Sequence, residues 1–191
     1  MKLEIKRQAV HLLGVFFVVS SYFIPASFFL LLLFFMFVFS STICLLRPFS
    51  KKLGLLKSIL DYLHNLARDE EKKLGLYFGA ATFFLGALVT FWIFGVEIFR
   101  IAMLVLSAGD SFSTLIGTHY GSRKLFYNKK KTWEGLIMGT SAAFAACLFI
   151  VPLNIALLAA AVGMIVESAP VQINDNLSIP LAVALVMVVV L

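Results

Sequence analysis

Ile101-Ala-Met-Leu-Val-Leu-Ser-Ala-Gly-Asp-Ser-Phe-Ser-Thr-Leu-Ile-Gly-Thr118 reads as a membrane-spanning helix interrupted by one ionisable carboxylate, Asp110. A charge near the bilayer centre costs about 2.5–3.5 kcal/mol on insertion scales, so one that is retained faces a protein interior, a partner or a bound ion. The stretch therefore predicts an all-α membrane fold and a functional residue inside it. Ser107, Asp110, Ser113, Thr114, Gly117 and Thr118 recur at three-and-four spacing and form one polar stripe along the helix. With Thr118 at the membrane boundary, Asp110 lies roughly 12 Å inside it.

The rest of the chain matches that environment. Of 191 residues, 61% are hydrophobic and only 14% charged, and the mean hydropathy is +1.00, far from soluble composition. Apolar runs long enough to cross about 30 Å of hydrocarbon predict spans over 9–26, 28–46, 75–95, 98–118, 135–151, 153–169 and 178–191. The last covers only roughly 21 Å as a helix, so six or seven spans follow. Between the second and third, Leu53, Leu56, Ile59, Leu60 and Leu63 recur at helical spacing among polar residues that include His64, which predicts an amphipathic helix over 51–73 on the cytoplasmic interface. Neither a repeat nor a linker divides the chain, so 1–191 reads as a single integral-membrane domain.

Basic residues set the orientation. Lys2, Lys6 and Arg7, the group from Arg47 to Lys73, and Arg123, Lys124, Lys129, Lys130 and Lys131 all fall on one side, with Arg100 opposite. The amino terminus is therefore expected in the cytoplasm. The net charge of +6 is accounted for by topology and does not indicate nucleic-acid binding. The basic-then-apolar start followed by Pro25-Ala-Ser27 has the outline of a secretory signal peptide, but the later spans and His11 favour a retained helix. Cys44 and Cys147 fall in apolar spans near opposite faces and read as packed thiols.

On this topology the polar residues gather at one depth. Glu134 begins the fifth span at the cytoplasmic face, Glu167 ends the sixth there, Asn174-Asp175-Asn176 follows in the inner loop, and Arg7 and His11 share a face at the inner end of the first. Singly, Glu134 reads as a helix-dipole charge, the lysines as a positive-inside anchor and the Asn-Asp-Asn run as a turn. Together they form a cytoplasm-facing pocket. Carboxylate and amide oxygens suit Mg²⁺ carried with substrate phosphates, and neighbouring Lys and Arg suit the phosphates themselves. A polyphosphate at a membrane mouth implies a lipid as the other substrate. The chain has no P-loop, kinase signature set or dinucleotide fingerprint, which leaves the phosphate site to the basic loop, Gly117, Gly121, Gly135 and helix ends, with His119 either joining it or sitting at the interface.

Three motifs then carry a resemblance. Gly109-Asp-Ser-Phe-Ser-Thr-Leu-Ile-Gly117, Tyr120-Gly-Ser-Arg-Lys-Leu125 and Asn128-Lys-Lys-Lys-Thr-Trp-Glu-Gly135 resemble the shared signature of CTP-using membrane enzymes. These are the phosphatidate cytidylyltransferases and the CTP-dependent dolichol, phytol and diacylglycerol kinases. Val166-Glu-Ser-Ala-Pro170 with Ile173-Asn-Asp-Asn-Leu-Ser-Ile-Pro180, and Lys6-Arg7 with His11 and Gly14, are similar to the kinase branch; the basic and His-Gly-Gly segments of the cytidylyltransferases are missing from this sequence.

The resemblance implies transfer of the γ-phosphoryl group of CTP to a lipid alcohol, with Mg²⁺ as cofactor and dolichol, polyprenol, phytol or diacylglycerol as acceptor. It implies Asp110, Glu167 and Asp175 as metal-binding and catalytic acids with Asn174 beside them. Lys124, Lys130, Lys131 and Thr132 become phosphate contacts, Glu134 an ordering residue for the loop, and Arg7 a neutraliser of the transferring group. Asp110 and Asp175 both remain candidates for the base. A CDP-lipid synthase and an ion-coupled transporter are the alternatives, the latter weakened by the one-sided placement of these candidate acids.

Overall fold

The structure is a computed structural model that describes residues 2–46, 78–171 and 173–191. The amphipathic helix expected over 51–73, with His64, lies outside these residues. Among the described residues, eight α-helices and one π-helical segment run in the order α1 (Lys2–Leu12), α2 (Gly14–Ser20), α3 (Ala26–Leu46), α4 (Phe78–Leu104), the π-helical segment (Val105–Asp110), α5 (Ser111–His119), α6 (Trp133–Cys147), α7 (Leu153–Ser168) and α8 (Asp175–Val190). The all-α expectation holds among the described residues, where the one β feature is an isolated antiparallel bridge between Lys124 and Thr132.

Among the described residues, two stretches are long and apolar enough by length and composition to cross a membrane, Ala26–Leu45 and Gly79–His119; Arg7–Ser20, Leu153–Ser168 and Asp175–Val190 are shorter apolar helices. The 41-residue stretch is not one rod. Gly95 inside it has φ 81° and ψ 175°, a conformation that only glycine adopts without strain. The chain folds back there. Phe83 and Asp110 would stand about 40 Å apart along a straight helix, yet both meet His11, Phe83 at 5.6 Å between ring centroids and Asp110 at 3.7 Å. Phe91 and Phe99 pack at 5.4 Å across the same turn. The two arms thus match the separate apolar runs expected at 75–95 and 98–118.

The returning arm is the centre of the bundle: every residue from Ile98 to Ser111 is buried. The outgoing arm of α4 packs between α3 and α8, while α5 and the π-helical segment pack against α6 and α7. Phe29, Phe91 and Phe99 form an aromatic knot at the Gly95 end, with Phe99 edge-to-face against both other rings. There Arg100 is buried, donating to Ser21 Oγ at 2.9 Å, to Ser21 O at 2.8 Å and to Glu97 at 2.9 Å, with its guanidinium 3.6 Å above the Tyr22 ring. These contacts satisfy a cation that stands apart from the basic loops in the sequence.

Two expectations are corrected locally. The first apolar run is not a single helix over 9–26 but α1 and α2 joined at Leu13, whose N–H is shared between Ala9 O at 3.3 Å and Val10 O at 3.1 Å. The tighter turn brings Gly14 against Ser107 and Phe83. The last helix begins at Asp175, three residues before the expected 178, because Asn174 caps it by accepting from Asn176 N at 3.0 Å. Both cysteines are buried, as expected of packed thiols.

Candidate active site

Asp110 ends the π-helical segment. There the wider turn interrupts the regular period of the polar stripe, a distortion frequent at functional sites. The side chain is 1% exposed. Thr114, one turn on, donates to its Oδ1 at 3.3 Å, and His11 Nε2 lies 3.7 Å from its Oδ2. On the same turn as Thr114, Ser113 donates to Glu167 Oε1 at 3.1 Å. Glu167, buried at the end of α7, also accepts from the ammonium of Lys131; its Oε2 is buried with no hydrogen-bond partner among the described residues. Lys131 Nζ is 3.9 Å from Asp175 Oδ2. Burial works against the charge on Lys131, but Glu167, Asp110 and Asp175 together outweigh it and hold the ammonium above the ordinary lysine pKa.

The basic loop is folded rather than trailing. Leu125 N donates to Lys131 O at 3.1 Å and Trp133 N to Arg123 O at 2.9 Å. Thr132 caps α6 by accepting from Gly135 N at 3.2 Å. Glu134 lies outside the cavity and secures the loop: Ser122 Oγ donates to it at 2.7 Å and Arg123 N at 3.1 Å. The hydrogen bond from Ser122, backed by these backbone donors, pulls the Glu134 carboxyl down to about 2. Gly135 lets α6 approach α5 closely, since a Cβ there would stand 2.8 Å from Ser113 O and 3.1 Å from Gly117 Cα.

Two cavities meet at these residues. The polar one, about 420 Å³, is lined by Arg7, Ser113, Thr114, Gly117, Gly121, Lys124, Lys130, Lys131, Thr132 and Asp175 among others. The apolar one, about 270 Å³, is lined by Val10, Leu13, Phe17, Phe83 and Phe84 and ends on Arg7, Gln8, His11, Asp110, Asn174 and Asn176. Arg7 borders both. Asp110 faces the apolar chamber and Asp175 the polar one, a division invisible in the order of residues along the chain. Among the described residues no three His, Cys, Asp or Glu side chains are grouped as a metal site; Lys131 lies between the acids instead. His119 sits apart, its Nδ1 2.8 Å from Leu115 O at the end of α5.

Sequence reasoning did not single out the aromatic wall of Phe17, Phe83 and Phe84, because phenylalanine is abundant throughout the chain. Nor did it separate Asn176 from its turn. Asn176 Nδ2 donates to Gly79 O at 2.9 Å and its Oδ1 is 2.7 Å from His11 Nε2. The available signal was the location of Arg7, His11 and Gly14 on one helical run.

Comparison with known proteins agrees with the motifs. The chain is 28% identical over 159 residues to a probable phytol kinase 2, chloroplastic, of Glycine max, covering 73% of this chain and 54% of that protein. It is 33% identical over 102 residues to a probable phytol kinase 1, chloroplastic, of Oryza sativa subsp. japonica, covering 44% and 32%. It is 29% identical over 102 residues to phytol kinase 1, chloroplastic, of Arabidopsis thaliana, covering 44% and 34%. The chain thus spans about half the length of the first of these relatives. No family model matches it, and no solved structure does. The relatives bear the names of lipid-alcohol kinases, the group that the motifs resemble.

Proposed function

We propose that this chain is a membrane-embedded lipid-alcohol kinase that transfers the γ-phosphoryl group of CTP to the hydroxyl of an isoprenoid alcohol such as phytol. The observation that carries this reading is the pair of cavities joined at Arg7, one lined by lysines and small residues, the other by aromatic side chains. The first suits a polyphosphate and the second a lipid chain. Relatives named phytol kinase support the acceptor class.

In this mechanism Lys124, Lys130 and Lys131 hold the phosphates, with Thr132 and the glycines 117 and 121 shaping the floor. Arg7 neutralises the transferring group at the border. Asp110, on the alcohol side, takes the hydroxyl proton; the alcohol oxygen bonds to the γ-phosphorus, and the bond to the bridging oxygen breaks to release CDP. Asp175 serves the nucleotide side, while Asn174, before it in the chain, closes the alcohol chamber. The oxygen-rich acids would supply Mg²⁺ with one or two carboxylates, its shell completed by phosphates and water; Glu167 Oε2, buried with no hydrogen-bond partner among the described residues, is one candidate ligand atom. Bound there, Mg²⁺ would neutralise charge on the phosphate oxygens.

The membrane reading places the whole chain as one domain of about seven spans, the amino terminus and both cavities toward the cytoplasm. The deciding experiment incubates purified protein with each nucleoside triphosphate and a panel of lipid alcohols that includes phytol, dolichol and diacylglycerol. Phosphorylated alcohol plus CDP is expected, with CTP better than ATP. Equal use of ATP would remove the pyrimidine claim. CDP-lipid plus pyrophosphate from phosphatidic acid would establish a cytidylyltransferase instead, and nucleotide-independent ion flux a transporter.

A further inference from the structure

His11 has no part in the chemistry above, yet it touches three components of the alcohol chamber. Its ring packs edge-on against Phe83 at 5.6 Å and 83°, its Nε2 is 2.7 Å from Asn176 Oδ1, and the same nitrogen is 3.7 Å from Asp110 Oδ2. The hydrogen positions follow from valence. Gly79 O can only accept, so the atom of Asn176 that faces it at 2.9 Å is the amide nitrogen. Asn176 therefore presents oxygen to His11, and His11 Nε2 carries a hydrogen. In the neutral imidazole the lone pair is then on Nδ1, which is buried with no hydrogen-bond partner among the described residues. His11 Nε2 cannot act as a proton acceptor while Asn176 holds it.

We propose that His11 is a positioning residue for the acceptor alcohol: Asn176 pins its ring as the wall beside Asp110 and draws its N–H away from that carboxylate. The inference rests on the lipid-kinase reading. By claiming the N–H, Asn176 leaves Asp110 the stronger acceptor for the hydroxyl proton, while the fixed ring and Phe83 set where the alcohol's terminal carbon comes to rest.

The test uses the full chain with phytol and CTP, comparing His11→Leu with His11→Gln, whose amide nitrogen reaches toward Asn176 Oδ1. His11→Leu is expected to lower kcat about 100-fold, the scale of a misplaced reactant, with KM for CTP unchanged; His11→Gln is expected to recover about tenfold of that loss. A merely structural residue would lower thermal stability without this kcat pattern. ¹⁵N-histidine spectra of the unmodified chain, assigned through His11→Gln, are expected to show the Nε2-protonated tautomer. An Nδ1-protonated ring, or equal kcat in His11→Leu and the unmodified chain, would overturn the proposal. Equal losses in the Leu and Gln variants would do the same. Absence of turnover by the unmodified chain with every alcohol would strike the lipid-kinase reading itself.

Discussion

The ammonium of Lys131 is bound to the carboxylate of Glu167, joining the basic loop to the end of α7. Glu167 is 1% exposed and Lys131 27%, so a buried acid anchors a lysine that lines the polar cavity. Removing one partner of such a pair costs about 3–5 kcal/mol because the other is left buried and uncompensated. Lys131→Met is expected to lose stability on that scale together with phosphoryl transfer. Lys131→Met with Glu167→Gln should regain most of the stability and none of the activity, as thermal unfolding and turnover measured side by side would reveal. The raised pKa of Lys131 sets the sign with pH: its contribution is complete below 10.5 and is lost only as pH climbs through the raised value.

Asp110 and Asp175 border different cavities, and their variants should fail differently. Asp110→Asn preserves shape and removes the proton acceptor, so kcat is expected to fall by about 10²–10⁴ with KM for CTP little changed. Asp175→Asn should raise KM for CTP. Steady-state kinetics separates the two, and normal kcat in Asp110→Asn would end its role as base.

Glu134 is ionised far below the usual carboxylate range, at about 2 against 4.5. A depressed folded-state value means that its hold on Ser122 and Arg123 is complete above about 4.5 and fades as pH falls through about 2. Carboxyl ¹³C titration of Glu134 should give its midpoint near the lower value. Glu134→Gln is expected to weaken CTP use through a looser loop while leaving binding of phytol alone.

Gly95→Ala tests the fold-back. Nothing lies within 4 Å of where the new Cβ would stand, so the cost is conformational only, about 1–3 kcal/mol. Chemical denaturation should show that loss. An unchanged midpoint would mean that the turn is made another way.

Orientation is checked by single cysteines in a Cys44→Ser, Cys147→Ser background. Tyr127→Cys is expected to react with an impermeant thiol reagent from the cytoplasmic side and Glu97→Cys from the opposite side. Labelling of both from one side would break the assigned topology.

Much of the helical bundle was legible because long apolar runs announce helices by length and apolarity, and because a buried carboxylate such as Asp110 is too costly to be incidental. The polar stripe through Ser113 and Thr114, the capping of α6 by Thr132 and the securing of the loop by Glu134 are local relations that spacing along the chain can state. The break at Leu13 and the π-helical turn before Asp110 were not legible, since both arise from how one helix accommodates its neighbours rather than from its own periodicity.

Sequence alone determined the helical class and where the basic and acidic residues fall along the chain. Only the tertiary structure decided that Asp110 belongs with Phe83 and His11 while Asp175 belongs with Lys131. The reason is geometric: Gly95 reverses the chain, so residues far apart in sequence line the same chamber. Three-and-four spacing orders side chains around a helix axis, but carries no information on which helix will stand across from it.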